Sequence, residues 1–438
     1  MTALVQEQAG NNYTGKGDKE SRGSNNRYTG SGGMGSSTAV GGAVVFGGMA
    51  SSSPAAAAAV VTDAVDASCG ILRLIVDHGV TGKMCSLVDS LFAVQEAPAV
   101  VWTIHPRTRQ LTRLQGGIIG SADNLSSPCG LALRRAPPDS DLPPLLFVCN
   151  VISNQILVFE FISGVFIRSI GYCVAGEAVG QLSYPRDCVL RVLPSGQSLL
   201  YVSDSRNNRI QVFDADSGAH VRMLGVDEIA DPSGLALHEA TTSCITTTQS
   251  NLPALLFVAS FSQHVVKVFN ADTGSLVRTI GTGTAGAGMG EMNGPVGIAV
   301  RTAAVGSASQ LLLYVSENGN HRIQVFDATT GAHVRMIGAK GVNQGQLSSP
   351  WGIALQPSYR LLGSPVLLYV ADSSNHRVQV FDADTGAHVC IMGAGKGNAP
   401  GQLNWPINVF PQPGTDGSTL VFVSESCLGN ARLQVFVV

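Results

Sequence analysis

The 438-residue sequence is poor in charge: Asp, Glu, Lys and Arg make up 13% of it, about half the share usual in soluble domains. The 27 basic side chains are nearly balanced by 30 acidic ones, a net charge of -3. That leaves no electrostatic footprint for generic nucleic-acid or anionic-membrane binding. Aromatic residues are also few, at 6%. The nine cysteines (Cys69, Cys85, Cys129, Cys149, Cys173, Cys188, Cys244, Cys390 and Cys427) are scattered, with no C-x-x-C pair. This excludes a zinc cross-brace, which needs closely spaced thiolates and imidazoles. It also argues against a disulfide-rich secreted scaffold. Isolated cysteines act as small core hydrophobes, and a reducing, cytoplasmic setting is expected.

Several chemistries are missing too. No nucleophile elbow, P-loop or dinucleotide fingerprint stands in a strand-turn-helix context. The glycine-rich run from Gly281 to Gly290 lies between two strand signals and is not a phosphate cradle. The N-terminus has no apolar stretch of the signal-peptide kind. The uncharged run from Tyr28 to Thr62 contains no Leu or Ile and is mostly Gly, Ser and Ala, so it is not a membrane span. Residues 1–66 are therefore expected to be a low-complexity, largely disordered segment, and residues 67–438 the folded domain. Hydrophobic residues, 45% of the chain, can fill a large core.

What is present is a repeat. LLYVSDSRNNRIQVFDADSGAHVRMLG, from Leu199 to Gly225, returns from Leu312 to Gly338 and again from Leu367 to Gly393. Weaker copies start at Leu145 and Leu255, a truncated one at Leu420 and a degenerate one at Leu91. Most copies are preceded by Pro-x-Gly-apolar, as in Pro128-Cys129-Gly130-Leu131 and Pro350-Trp351-Gly352-Ile353. The closing glycines Gly116, Gly171, Gly225, Gly281, Gly338 and Gly393 are 55, 54, 56, 57 and 55 residues apart.

Each period holds four strand signals, A to D, rich in Val, Ile, Tyr and Phe and separated by Asp/Asn/Gly turns. Four antiparallel strands repeated around a ring make a β-propeller. The alternation on strand D, His220 and Arg222 against Val221 and Met223, reads as a charged edge that discourages pairing with other chains. Seven units are countable, from Cys69 to a last unit that ends after its strand C; a six-bladed ring is the alternative. Gly42-Ala43-Val44-Val45-Phe46-Gly47 loosely matches strand D and is a candidate to complete the ring. The competing reading is a linker, since glycine weakens strands.

The run Asn320-His321-Arg322, or Asn375-His376-Arg377, after Tyr-Val-Ser/Ala-Glu/Asp and before Ile/Val-Gln-Val-Phe-Asp resembles the signature of the NHL repeat family. The resemblance covers roughly residues 69–438 and implies an all-β propeller, usually six-bladed. It also implies a recognition role, as in the propeller end of tripartite-motif ubiquitin ligases. This chain has no RING domain, so a ligase role would need a RING partner in trans.

The repeats act as an internal control: what every blade carries serves the blade, and what one blade carries is a better functional candidate. His220, His333 and His388 share one position, and His264, His321 and His376 another; both sets read as structural. The recurring acids Glu96, Asp204, Glu317, Asp372 and Glu425 read as turn caps or partners of the nearby Arg. The Asp-x-Asp-x-Gly runs at Asp214 and Asp382 read as hairpin turns, lacking the later ligands of a calcium loop. No catalytic set, metal site or cofactor is expected.

The partner-binding candidates are Tyr184, Arg186, Asp187, Arg206, His321, Trp351, His376 and Trp405, placed on the D–A and B–C loops or at the start of strand A. The leading expectation is a monomeric, non-catalytic protein-interaction scaffold, with no membrane partner and a possible ubiquitin-pathway role. The alternatives are a lyase or lactonase-like enzyme with an axial metal, and RNA binding through Arg206, Arg209, Arg322, Arg377 and Lys267.

Overall fold

In a computed structural model of the chain, the described residues are 125–438, apart from 137–141, 162–164, 240–252, 306–307, 357–364, 400, 414–418 and 428–429. Five short strands between Ala64 and Arg113 are described as backbone only.

Five four-stranded antiparallel sheets and one three-stranded sheet follow one another from Pro128 to Val437. Blade one comprises Pro128–Arg134, Leu145–Asn150, Gln155–Glu160 and Phe166–Ile170. Blades two to five span 185–224, 232–280, 295–337 and 350–392 in the same A–B–C–D order. Blade six has only Pro406–Pro413, Thr419–Cys427 and Asn430–Val437. Among the described residues this sheet has no fourth strand. Among the described residues no helix is long and apolar enough to cross a membrane.

The ring closes at six. Leu420, Phe422 and Leu433 of blade six share one buried cluster with Leu131, Leu146, Val148 and Leu157 of blade one. Across the same seam Ser424 Oγ donates to the Cys129 carbonyl at 2.9 Å. The count of seven units therefore does not translate into seven blades. The first unit belongs to the segment before residue 125, where a sheet of Phe92–Gln95, Val100–Ile104 and Leu111–Arg113 pairs only within itself. The proposed closing strand at Gly42–Gly47 lies outside the described residues.

Strand A is innermost, and the Pro-x-Gly motif shows why. In every blade the A–B register shifts just after the proline, a bulge that bends the strand toward the axis. The glycine then sits against the backbone of the next blade. A Cβ on Gly297 would lie 2.4 Å from the Trp351 carbonyl oxygen, and one on Gly352 would lie 2.7 Å from Asn408 Cα. Only a residue without a Cβ lets adjacent strands approach so closely. Outward from the axis, Phe and Tyr of strands B and C fill the space between blades, with Tyr201, Tyr314, Phe213, Phe326 and Phe381 almost fully buried.

The edge reading of strand D is corrected by the geometry. His220 and Arg222 are turned inward, while Val221 is the exposed residue. His220 packs edge-on against Phe213 at 5.7 Å, and Arg222 Nη1 donates to the Asp272 carbonyl of blade three at 2.7 Å. These residues connect elements rather than guard an edge.

Candidate functional site

The loops joining D to A and B to C are built by two recurring hydrogen-bond systems. The first is a buried acid. Asp204, Glu317, Asp372 and Glu425 are fully enclosed, and each accepts from an arginine Nε of strand C at 2.8 Å: Arg209, Arg322, Arg377 and Arg432 in turn. Each also accepts the backbone N–H of Ser183, Asn293, Ser348 or Asn404 in its blade's D–A loop. A buried carboxylate is tolerated only when its oxygens are satisfied in this way. Burial pushes the Glu425 carboxyl up, against the opposing pull of Arg432 and Gln434. The recurring acids are thus partners of the neighbouring Arg, with Glu96 outside the described residues. Arg209, Arg322 and Arg377 are consumed by these contacts, which corrects their assignment to an RNA-binding cluster.

The second system crosses between blades. Asn154, Asn208, His264, His321 and His376 all adopt left-handed backbone, with φ from 51° to 56°. Each accepts, through its side chain, the backbone N–H of the residue preceding the next blade's proline. Those residues are Tyr184, Asp231, Gly294, Ser349 and Trp405, at 2.8–3.2 Å. They too have positive φ, from 47° to 63°, an unusual state for a bulky residue and for one before proline. Since the strain recurs in five blades, it belongs to the fold. The histidines accept through Nδ1, so they must be neutral there. Burial, then Lys340, lowers the His321 pKa; burial, then Lys396, lowers that of His376.

On the opposite side, the Asp-x-Asp-x-Gly runs are hairpin turns: Asp214 Oδ1 accepts the N–H of Asp216 and Ser217, and Asp382 Oδ1 that of Asp384 and Thr385. The second acid of the turn reaches back to an arginine of the preceding blade's strand A. The pairs are Arg134–Asp216, Arg191–Asp272 and Arg301–Asp384. Where strand A carries His238 instead, the facing turn has Thr329 in place of the acid.

The six strands A enclose a central cavity of about 350 Å³. Its wall is mostly Leu, Ile, Val, Ala and Gly, with Arg186, Asp187, Ser233 and Asn408 as polar members and Trp351 among its aromatic ones. Asp187 and Asn408 occupy the position that is glycine in the other four blades. Burial raises the Asp187 carboxyl from 3.8 to about 7, opposed by the N–H groups of Leu235 and Cys188 that it accepts. Burial also raises the Cys129 thiol to about 12, with the Asp187 charge adding to it. Cys149 is raised by burial and by its hydrogen bond to Cys188. Neither is a ready thiolate nucleophile.

At the mouth, the Arg186 guanidinium lies 5.4 Å from the Tyr184 ring, 5.7 Å from Phe261 and 6.0 Å from Trp351. It therefore touches aromatic groups of blades two, three and five. Arg206, exposed, stacks over the Tyr184 ring at 4.7 Å. The structure thus gathers Tyr184, Arg186, Arg206 and Trp351 in one cluster, with Asp187 in the wall beside it. His376 and Trp405 form a separate pair, ring centroids 5.6 Å apart at right angles, and His321 belongs to neither group, acting like His376 as an inter-blade acceptor. Phe261 escaped the sequence reading. It stands where blades two, four and five have Ser205, Asn318 and Ser373, so comparing the repeats at that position would have revealed it.

No family model matches the chain. It is similar to NHL repeat-containing protein 2 of Bos taurus, 25% identical over 253 residues, covering 50% of this chain and 34% of that protein. It is also similar to the Gallus gallus protein of the same name, 27% identical over 178 residues, covering 36% of this chain and 21% of that protein. The chain thus spans about a third or less of the length of these relatives. Among solved structures, Kuenenia stuttgartiensis hydrazine synthase is 14% identical with a TM-score of 0.47, covering 83% of this chain and 97% of that one.

Proposed function

Since the chain is an NHL-repeat β-propeller, we propose that it is a non-catalytic protein-interaction module whose recognition surface is the face carrying the D–A and B–C loops. The observation that supports this is the clustering of Tyr184, Arg186, Arg206 and Trp351 from blades two and five around the channel mouth. Tyr, Trp and Arg are the side chains that dominate binding energy at protein interfaces. Trp405, 39% exposed on the same loops, adds a second anchor beside His376. His321 completes the set of contacts on this face, and Asp187 borders it.

In this reading the protein is a monomer in a reducing cytoplasm. The family resemblance extends the role to presenting a substrate to a ubiquitin ligase supplied in trans; that extension rests on the resemblance alone. The test is affinity capture by the whole chain, compared with an Arg206→Ala, Trp405→Ala double variant of unchanged thermal midpoint. A partner held by the first and lost by the second supports the reading. Equal retention of every captured protein, or capture of none, would overturn it.

A further inference from the structure

The Arg186 guanidinium has one ion-pair neighbour among the described residues, Asp231, but its Nε and Nη1 lack a hydrogen-bond acceptor there. Both nitrogens are enclosed. Asp231 Oδ1 stands 3.4 Å from Nη1, outside hydrogen-bond geometry. Asp187, next in sequence, does not help: its Oδ1 accepts the Cys188 N–H at 2.9 Å and its Oδ2 the Leu235 N–H at 2.8 Å. Three aromatic rings hold the guanidinium, but rings are poor acceptors for its in-plane N–H groups. An unmatched enclosed donor is costly, and a guanidinium finds its strongest hydrogen bonds with carboxylates.

The rest of the channel wall is mostly apolar, with Leu235, Ile298 and Ile353, and its polar members besides Arg186 are Asp187, Ser233 and Asn408. Its volume of about 350 Å³ falls in the range of small-ligand sites. The Asp187 oxygens are occupied by backbone N–H groups. A cation lacking hydrogen-bond acceptors beside a mostly apolar wall therefore matches a singly charged anion with an apolar body, which would compete with Asp231 for it. A phosphate, needing several donors, is a poorer match. We propose that the central channel binds a carboxylate attached to an apolar group, with Arg186 as its counter-ion and Trp351 and Phe261 flanking the entering apolar part. The carboxylate belongs either to a free organic acid or to the end of a peptide chain. The site stands on its own geometry and does not depend on the propeller having a protein partner.

The test uses the whole chain and calorimetric titration with 3-phenylpropionate, its neutral amide, inorganic phosphate, and a short peptide ending in Phe with a free or amidated terminus. At least one of the two acids should bind about tenfold or more tightly than its amide, the value of one charge-assisted hydrogen bond. Arg186→Gln should abolish that preference. Asp231→Asn should strengthen acid binding by removing the competing carboxylate, a gain that misfolding cannot imitate. Binding of the peptide alone identifies a chain terminus as the source; binding of the free acid alone identifies a small molecule. Equal binding of acid and amide, preference for phosphate, no binding of either acid, or unchanged affinity in Arg186→Gln would each overturn the proposal.

Discussion

His376 Nδ1 accepts the backbone N–H of Trp405 at 3.1 Å, across the boundary between blades five and six. The same bond is made by an asparagine in blades one and two, which suits a left-handed residue because Asn tolerates that backbone state. His376→Asn should therefore be nearly neutral. His376→Ala should destabilise the protein by about 1–3 kcal/mol, combining a lost hydrogen bond with left-handed strain. Denaturant melts of the two variants test this, and an equal loss in both would sink the latch assignment.

The pH dependence follows from two opposed sets of groups. His220, His321, His376 and His388 all have folded pKa values lowered from 6.5 by burial. The unfolded chain then binds protons first, so their stabilisation is present above pH 6.5 and is lost as the pH falls toward the folded values. Asp187 runs the other way. Its carboxyl is raised from 3.8 to about 7, so its contribution is fully present below pH 3.8 and is lost as the pH rises through about 7. Neither set titrates above about pH 7, so the thermal midpoint should level off there. Asp187→Asn should make it climb more steeply with pH between 3.8 and about 7 by removing the opposing loss. A midpoint that rises steadily to pH 9 in the unmodified protein would contradict this.

Arg377 and Asp372 form one of the buried pairs, with the acid fully enclosed. Arg377→Met should cost about 3–5 kcal/mol because it strands a buried carboxylate. Arg206→Ala, at an exposed position on the B–C loop of blade two, should change stability by no more than about 0.5 kcal/mol. Urea unfolding of both variants checks the contrast. Comparable losses would mean that the two arginines are not divided between fold and surface as the geometry places them.

The blade was legible because it is written several times: strand order and turn chemistry follow from repeated residues. The acid–arginine pairing was legible for the same reason. Blade number was not, because a repeat unit marks sequence similarity, whereas ring size is set by how blades pack. The closing contact of Phe422 on Leu146 and Val148 joins residues with no sequence proximity. The inward turn of His220 and Arg222 was hidden because a bulge between Val212 and Phe213 shifts the C–D register, breaking the simple alternation. At the mouth, Arg186 and Trp351 stood out as blade-specific residues, but their meeting across the channel is a property of the closed ring.

Gly297 tests the packing at the axis. Its φ is not left-handed, so the requirement is space: an added Cβ would meet the Trp351 carbonyl oxygen at 2.4 Å and the Ile353 nitrogen at 2.8 Å. Both are backbone atoms of the next blade and cannot rotate away. Gly297→Ala should cost about 1–3 kcal/mol or more by overpacking. Gly283→Ala meets no such obstacle and pays only for its positive φ of 80°, about 1–2 kcal/mol. Thermal melts should rank Gly297→Ala as the more damaging; the reverse order would refute the close approach of strands A.

Trp351 separates fold from function. Its side chain is half-buried at the channel mouth, and the Arg186 guanidinium is its cationic contact. The structural contact at this residue is made by its carbonyl, which accepts from Ser316 Oγ and survives any side-chain change. The other blades have Cys129, Arg186, Ser233, Val296 and Ile407 here, so the ring does not depend on one side chain. Trp351→Ala should therefore cost about 1 kcal/mol of stability, well under the 3–5 kcal/mol or so of a core aromatic truncation. Phe326→Ala, fully buried between blades, provides that reference. If Trp351 anchors a partner, the same change should weaken binding by about 2 kcal/mol or more. A stability loss equal to that of Phe326→Ala would make Trp351 a core residue and remove it from the recognition surface.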